Sequence, residues 1–256
     1  MAKNDYHPEP YWSEVAKRID SREDRNVIAG DDEPYYHYKR ARFLEMLSSV
    51  DFSGKNVMEL GSGPGGNLKE LTKKNAKSLT GVDISADMIA LATKNLAGAG
   101  VTLTKTDGKT IPYDDKHFDI AITATVLQHN TDEAMLFNVI KELCRVTADK
   151  VVIFERIDDP IAGDELCLGR PVKYYEDIFV KHGFKLKKTE FINIHTSWML
   201  SGAVRRYLNP STRQEGEPLN GISLGIQKVL LPVTKVLDKV ITSNRDLAKL
   251  EFERDQ

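Results

Sequence analysis

Four glycines within six positions follow a short apolar run early in the chain. The run Val57–Leu60 has the length and composition of a buried strand, and it includes the acidic residue Glu59. It opens into the turn Gly61-Ser62-Gly63-Pro64-Gly65-Gly66, after which Leu68 and Leu71 begin an amphipathic helical pattern. Glycines permit positive φ angles and let a ligand approach the main chain closely. A strand, a glycine turn and a helix in this order predict a nucleotide-type site at the carboxyl end of a parallel strand.

Two acidic residues near this turn indicate which ligand it binds. Glu59 lies two residues before the first glycine, where a carboxylate favours a cationic ligand over a pyrophosphate. Pro64 also removes an N–H donor that a pyrophosphate would use. Asp83 ends the next apolar stretch, where its carboxylate can accept both hydroxyls of a ribose. The glycines also satisfy the GxGxxG dinucleotide pattern, which is weak evidence alone, so an NAD-dependent oxidoreductase remains an alternative.

The pattern Glu-x-Gly-x-Gly-x-Gly, with a strand-terminal Asp 18 residues after Gly65, resembles the class I S-adenosylmethionine-dependent methyltransferases. The resemblance covers about residues 54 to 157, including an acid at Asp107 after the third strand and the segment Val126–His129 after the fourth. It implies a doubly wound α/β fold with a mostly parallel seven-stranded sheet, and S-adenosylmethionine as the cofactor.

The same resemblance implies roles for individual residues. Asp83 is expected on the ribose hydroxyls, Asp107 and the backbone of Gly108 at the adenine edge, and Ile84 on the adenine ring face. The full set of expected cofactor-binding residues is Glu59, Gly61, Ser62, Gly63, Gly65, Asn67, Asp83, Ile84, Met88, Asp107, Gly108, Thr125 and Val126.

The chain divides into three predicted regions. Residues 1–50 form a helical cap that we expect to fold over the cofactor, residues 51–208 form the methyltransferase core, and residues 209–256 form an amphipathic helical extension. Phe184–Ile192 and Ile194–Trp198 are expected to supply the last two strands of the sheet, as an antiparallel hairpin. Residues expected to contact the methyl acceptor are Tyr35, Tyr36 and Tyr38 of the cap and Arg156 after the fifth strand.

A helix is predicted from about Leu219 to Ile241, and Pro232 should kink or split it. Its apolar residues, spaced alternately four and three apart, predict one apolar seam: Ile222, Ile226, Val229, Val233, Val236 and Val240. This seam is expected to be buried against the core, against another subunit or against a membrane surface.

Composition sets outer bounds on function. The 256 residues suit one α/β domain with appendages. A net charge of −2 gives no general attraction to nucleic acid, so an RNA methyltransferase would need a local basic patch. Two cysteines without metal or redox spacing and the lack of a membrane-spanning apolar run favour a cytoplasmic protein, peripheral to a membrane if the seam binds one.

The reaction expected is methyl transfer to oxygen or carbon. The Asn/Asp-Pro-Pro-Tyr/Phe sequence of many amine and amide methyltransferases is missing after strand four, where Thr123–Gln128 stands. A hydroxyl acceptor needs a base, for which His129 is the first candidate; the others are His195, Glu155, Asp158 and His37.

No metal site is expected. The predicted acceptor is a hydroxyl of a small molecule or of a sugar in a glycan or glycolipid. A protein that binds the cofactor without catalysis remains a further alternative.

Overall fold

The computed structural model describes residues 7–22 and 33–255 of the chain. Its α-helices are α1 (Pro8–Asp20), α2 (Pro34–Leu47), α3 (Gly66–Leu71), α4 (Ala86–Asn95), α5 (Glu133–Val146), α6 (Val172–Lys181), α7 (His195–Leu208) and α8 (Gly221–Asp238). Its strands are β1 (Asn56–Leu60), β2 (Ser78–Asp83), β3 (Val101–Lys105), β4 (Phe118–Ala124), β5 (Thr147–Ile157), β6 (Ala162–Gly163), β7 (Leu168–Gly169), β8 (Phe184–Phe191) and β9 (Asp246–Arg254). Short 3₁₀ turns lie at Thr72–Lys74 and Leu127–His129.

The central sheet has seven strands in the order β3-β2-β1-β4-β5-β9-β8. The first five are parallel, and β9 runs antiparallel to both β5 and β8. Successive residues of β1 face opposite sides of the sheet: Val57 packs with α2 and α3, while Met58 packs with α5 and α6. The predicted doubly wound, mostly parallel fold is therefore confirmed.

The last two strands of the sheet differ from the prediction. Phe184–Phe191 is a strand as expected, but Ile194–Trp198 leads into helix α7 and its predicted strand is wrong. The seventh strand is β9, which pairs with β5 and β8. Five residues of alternating pattern do not separate a strand from the first turn of a helix.

Strand β9 lies within residues 209–256, which the sequence analysis assigns to a helical extension, and it carries charged residues. One of them, Lys249, is fully buried, and its ammonium lies 3.0 Å from Glu190 and 2.9 Å from Glu251. It also donates to the carbonyl of Met46 at 2.7 Å. These partners make a buried lysine compatible with a central strand. The predicted boundary at residue 209 therefore separates β9 from the sheet to which it belongs.

The two N-terminal helices form where the sequence predicts them, and both pack near the carboxyl ends of the parallel strands. Helix α1 packs on α4 through Val15, Ala16 and Ile19. Helix α2 packs on β5, with the rings of Phe43 and Phe154 4.4 Å apart. Their function as a lid stays a prediction.

Helix α8 continues through Pro232 as one helix, so of the two effects predicted for this proline, a kink or a split, the split does not occur. Its apolar seam faces outward: Ile222 is 70% exposed, Val229 74% and Val240 79%. Within the described part of the chain, no helix is both long and apolar enough to cross a membrane.

Candidate cofactor and acceptor site

The glycine turn has the backbone conformation that its residues permit. Gly61, Gly63 and Gly65 have φ angles of 71°, 51° and 87°, in the left-handed region that favours glycine. A Cβ at Gly61 would lie 2.2 Å from Cγ2 of Val126, and one at Gly65 would lie 2.6 Å from Cδ1 of Leu96. A side chain at position 61 would therefore collide with Val126 in the cavity wall, whereas the missing side chain at Gly65 allows α3 to pack closely on α4.

The carboxyl of Glu59 is buried with half of its hydrogen-bonding capacity unused. Its exposed fraction is 1%, and Oε1 accepts a hydrogen bond from Nδ2 of Asn67 at 2.8 Å. Oε2 has no hydrogen-bond partner among the residues described. Burial raises the pKa of Glu59 to about 8. A buried carboxyl in this state is suited to a cationic donor supplied by a ligand.

Asp83 lies at the carboxyl end of β2, opposite the glycine turn. Oδ2 accepts a hydrogen bond from the backbone N–H of Gly63 at 2.8 Å, and Oδ1 accepts one from Ser85 at 2.9 Å. Burial raises the pKa of this carboxyl, against those two hydrogen bonds. Each oxygen retains a lone pair, so the carboxylate can still accept two hydroxyls.

Three adjoining cavities lie along the carboxyl edge of the sheet. The adenosine cavity, as we name the first, is lined by Pro8, Trp12, Leu60, Gly61, Gly63, Asp83, Ile84, Met88, Thr106, Gly108, Ala124, Thr125, Val126, His129, Asn130, Met135 and Val139. The methionine cavity is lined by Tyr36, Lys39, Arg40, Phe43, Glu59, Gly61, Ser62, Gly63, Pro64, Gly66, Asn67, Ala124, Thr125 and Phe154. They share Gly61, Gly63, Ala124 and Thr125, so one elongated ligand can occupy both.

The third cavity, which we name the acceptor cavity, adjoins the methionine cavity at α2. It is lined by Tyr35, Tyr36, Lys39, Gln128, Arg156, Asp158, Cys167, His195, Trp198, Arg245, Asp246 and Leu247. Tyr36 and Lys39 line both this cavity and the methionine cavity. A group bound here can therefore approach a ligand bound against the glycine turn.

Most of the predicted cofactor residues line the first two cavities, but Asp107 does not. It is exposed, and its Oδ1 accepts hydrogen bonds from Lys109 and Thr110, which hold its pKa below the usual range. Its neighbours Thr106 and Gly108 line the adenosine cavity instead. Gly65 lines neither cavity, in keeping with its packing role.

His129 lies in the wall of the adenosine cavity. Its ring packs edge-on against Trp12, with centroids 5.2 Å apart. Nδ1 lies 2.7 Å from the carbonyl of Leu166, and Nε2 lies 3.3 Å from Nε2 of Gln128. Burial lowers the pKa of His129, which favours the neutral ring. Both ring nitrogens are engaged by the protein, so this histidine is placed to shape the cavity.

His195 instead lies in the acceptor cavity, at the start of α7. Its Nδ1 is buried and has no hydrogen-bond partner within residues 7–22 and 33–255. Oδ2 of Asp246 is likewise without a partner in those ranges, and burial raises the pKa of that carboxyl. Burial also lowers the pKa of Lys39 on the opposite side.

The predicted acceptor residues divide into two groups. Tyr35, Tyr36 and Arg156 line the acceptor cavity, and Nε of Arg156 lies 2.8 Å from Asp158. Tyr38 lines none of the three cavities, because its ring packs under Lys235 of α8, 4.6 Å from the ammonium.

Glu155, a further candidate base, holds the turn after β4. Its carboxylate accepts hydrogen bonds from the backbone N–H groups of Val126, Leu127 and Gln128 at 3.0–3.1 Å. Burial raises its pKa to about 7 despite these bonds. Its task is to position the turn that carries Gln128 and His129.

No group of three or more metal-ligating side chains occurs in the described part of the chain.

Sequence reasoning missed Lys39, Gln128 and Asp246. Lys39 lies three residues after Tyr36 on the same face of α2, so helical spacing could have identified it. Gln128 accepts a hydrogen bond from the backbone N–H of Arg156 at 2.9 Å, a contact that local sequence does not indicate. Asp246 begins β9, and missing that strand meant missing the residue.

Comparison with known proteins agrees with this geometry. The strand order and the glycine turn define a class I methyltransferase fold. Residues 57–150 match the family model described as "Methyltransferase domain". Residues 57–150 therefore belong to this methyltransferase family, and the sheet that contains them has the fold of the class I S-adenosylmethionine-dependent methyltransferases.

Two curated relatives match a short part of the chain. The phthiotriol/phenolphthiotriol dimycocerosates methyltransferase of Mycobacterium tuberculosis is 33% identical over 76 residues, which is 29% of this chain and 28% of that protein. The fatty-acid O-methyltransferase of Mycolicibacterium smegmatis is 30% identical over 86 residues, 33% of this chain and 31% of that protein. The matches thus span less than a third of either relative.

One solved structure shows the same fold over nearly the whole chain. Magnesium protoporphyrin IX methyltransferase from Synechocystis, with bound S-adenosylmethionine, has a TM-score of 0.60 at 13% identity, covering 96% of this chain and 95% of that chain. The two cavities that share the glycine turn fit the family's cofactor, because they adjoin and because Glu59 offers an unpartnered buried oxygen that a cationic amino group would complete.

Proposed function

We propose that this protein transfers the methyl group of S-adenosylmethionine to a hydroxyl of an acceptor bound in the acceptor cavity. The observation that carries the proposal is the unpartnered buried oxygen of Glu59 beside the glycine turn. A carboxyl left half-satisfied in a buried cavity is costly unless a ligand completes its hydrogen bonds. The amino group of the cofactor's methionine part is such a ligand.

In this proposal the chain's own residues fix both ends of the cofactor. Glu59 and Asn67 hold the amino-acid end, and Asp83 accepts the ribose hydroxyls. Ile84 and Gly108 lie so close together that a Cβ added at Gly108 would be 2.7 Å from Cδ1 of Ile84, and together they form one wall of the adenine site. When bound, the cofactor would supply a methyl group on a sulfonium, whose sulfur leaves readily as a neutral thioether, so the remaining task of the chain is to position the acceptor and exclude water.

The acceptor cavity combines apolar rings with a few polar groups, as is common in small-molecule sites. Tyr35 and Trp198 supply rings, while Gln128, Arg156 and Asp246 can orient a polar head. The two relatives named above act on lipid acceptors according to their names. This supports a hydroxyl attached to a lipid or glycolipid over a small polar metabolite.

We propose His195 as the base that removes the hydroxyl proton, in place of the first sequence candidate, His129. A base needs a lone pair that can reach the acceptor. His195 has an unpartnered ring nitrogen in the acceptor cavity, whereas both nitrogens of His129 are engaged in the wall of the adenosine cavity.

Calorimetry and a transfer assay test the proposal together. S-Adenosylhomocysteine should bind and NADH should not, and Glu59→Ala should weaken the former about tenfold or more, as expected for a hydrogen bond to a charged group. Radiolabelled S-adenosylmethionine should label a hydroxylated lipid from a panel of lipid, sugar and RNA acceptors. Binding of NADH in place of S-adenosylhomocysteine, or labelling of RNA alone, would contradict it. Cofactor binding with no labelled acceptor would favour a non-catalytic binding protein.

A further inference from the structure

Helix α8 is attached to the protein by its polar face. The buried residues on it are Ser223, Gln227, Thr234 and Asp238. Asp238 accepts hydrogen bonds from the backbone N–H groups of Thr196 and Ser197 at 2.8 and 3.2 Å, and so caps the start of α7. A surface helix normally turns its apolar face to the core. Here that arrangement is reversed.

Further hydrogen bonds fix this reversed orientation at the other end of α8. Asn220 accepts from the backbone N–H of Ser223 at 2.8 Å, and Asn209 donates to the hydroxyl of Ser223 at 3.1 Å. Gln227 donates to the carboxylate of Glu33, which also lies 2.8 Å from Arg205 of α7. The helix cannot rotate its seam inward without breaking this network.

The outward face of α8 is a continuous apolar stripe. Five of its residues are at least 60% exposed, namely Ile222, Val229, Val233, Val236 and Val240. Ile226, Leu237 and Ile241 widen it. Neighbouring α7 adds exposed Trp198, Met199, Leu200 and Tyr207. An exposed apolar surface of this length on a soluble domain marks an interaction site.

The charges beside the stripe are basic. Lys228 and Lys239 are exposed, Arg206 is exposed on α7, and Lys235 lies over the ring of Tyr38. The only acid of the two helices, Asp238, is buried. The acids of the segment that connects the two helices, Glu215 and Glu217, are half-buried, and they accept hydrogen bonds from Tyr11 and Gln214. This local excess of positive charge contrasts with the chain's net charge of −2.

We propose that α8 is an interfacial helix that binds the surface of an anionic lipid bilayer. An apolar stripe flanked by lysines is the pattern of helices that lie in the headgroup region. Tryptophan and tyrosine, which α7 exposes, favour the same depth. A second copy of this chain fits less well, because a two-fold contact would bring the basic flanks together with no exposed acid of α8 to pair with them.

The surface adjoins the acceptor cavity. Trp198 lines that cavity and also lines an open groove along α7 with Met199, Arg206 and Tyr207. Binding through α7 and α8 would therefore bring the acceptor side of the protein to the membrane.

The test is co-sedimentation of the full chain with vesicles of phosphatidylcholine alone or mixed with phosphatidylglycerol. Binding should require the anionic lipid and fall with added salt. Val229→Asp should weaken it at least tenfold. Lys228→Glu changes the local charge by two and should weaken it roughly 25-fold, at about fivefold per charge.

Matched controls carry the same changes elsewhere on the surface. Val180→Asp on α6, where the side chain is 53% exposed, and Lys187→Glu on β8 should both bind vesicles like the unaltered protein. Unchanged affinity for S-adenosylhomocysteine and unchanged circular dichroism would show that the variants fold. This readout needs no turnover, so its result is independent of the proposed reaction.

Two results would overturn the proposal. One is the absence of binding to anionic vesicles, or binding that Val229→Asp leaves unchanged. The other is a dimer in sedimentation equilibrium that Val229→Asp dissociates while vesicles are ignored, which would assign the stripe to self-association.

Discussion

Glu59 is the residue through which pH should act on the cofactor cavity. Its pKa in the folded protein is about 8, against an ordinary value of 4.5. Burial therefore favours its neutral form, and its contribution to stability is full below about 4.5 and is lost as pH rises through about 8. A cationic ligand reverses this preference, because it stabilises the carboxylate.

We therefore predict that S-adenosylhomocysteine binds more tightly as pH rises from 6 to about 8, with release of protons by the protein. Calorimetry at pH 7 in two buffers of different ionisation enthalpy measures that release. Glu59→Gln replaces the carboxyl with an amide of the same size that cannot ionise, so both the proton release and the pH dependence of binding should largely disappear. Equal proton release in the variant and in the unaltered protein would remove Glu59 from this role.

Turnover and binding measurements should distinguish the roles of His195 and His129. His195→Ala should lower turnover by roughly 10²–10⁴-fold, the scale of general base catalysis, while affinity for S-adenosylhomocysteine stays nearly constant. His129→Ala should instead weaken the affinity for S-adenosylhomocysteine and leave turnover at saturating cofactor nearly constant, because its ring forms the wall of the adenosine cavity against Trp12. Turnover at saturating cofactor and calorimetric affinity, measured on both variants, decide the matter. Loss of turnover only in His129→Ala would restore the first sequence candidate.

At the scale of elements, the contact between α7 and α8 depends on one carboxylate. Asp238 accepts from two backbone N–H groups and from the Ser197 hydroxyl at 2.5 Å. Asp238→Ala leaves these buried donors unpaired, which should cost about 1–3 kcal/mol of unfolding free energy.

Urea unfolding followed by circular dichroism measures that loss. The control is Val240→Ala, at a position 79% exposed, which should change stability by less than about 0.5 kcal/mol. If both variants unfolded at the same urea concentration, the network between the helices would not be what holds α8 in place.

At the scale of the whole molecule, β9 is needed to complete the central sheet. It lies between β5 and β8 and pairs with both, so deletion of residues 209–256 should leave two unpaired strand edges and no cooperative fold. Deletion of residues 1–22 removes α1 but none of the strands β1–β9 that the structure describes, and should leave a folded protein with weaker cofactor binding. Thermal unfolding of both truncated chains tests this. A cooperative transition in the 1–208 fragment would mean that the sheet tolerates the loss of β9.

Features that depend on residues close together in the sequence could be predicted more readily than features that depend on residues far apart. The glycine turn, Glu59 and Asp83 are local signals within 25 residues, and the structure places them together in the walls of two adjoining cavities. The acceptor cavity joins Lys39, Gln128 and Asp246 from distant segments, and no local pattern reveals such a meeting. For α8 the periodicity showed which side chains share a face. It could not show which face meets the protein, because that depends on partners such as Ser197 and Glu33 elsewhere in the chain.

The place of β9 also bears on how the chain folds. Val152 of β5 and its partner Glu251 are about 100 positions apart, and pairing of such distant segments slows folding because a long loop must close first. Until β9 pairs with it, β5 presents an open edge, and the stripe of α8 is uncovered even in the folded protein. Open edges and apolar surface drive association of partly folded chains. The yield of refolded protein should therefore fall steeply as the chain concentration is raised.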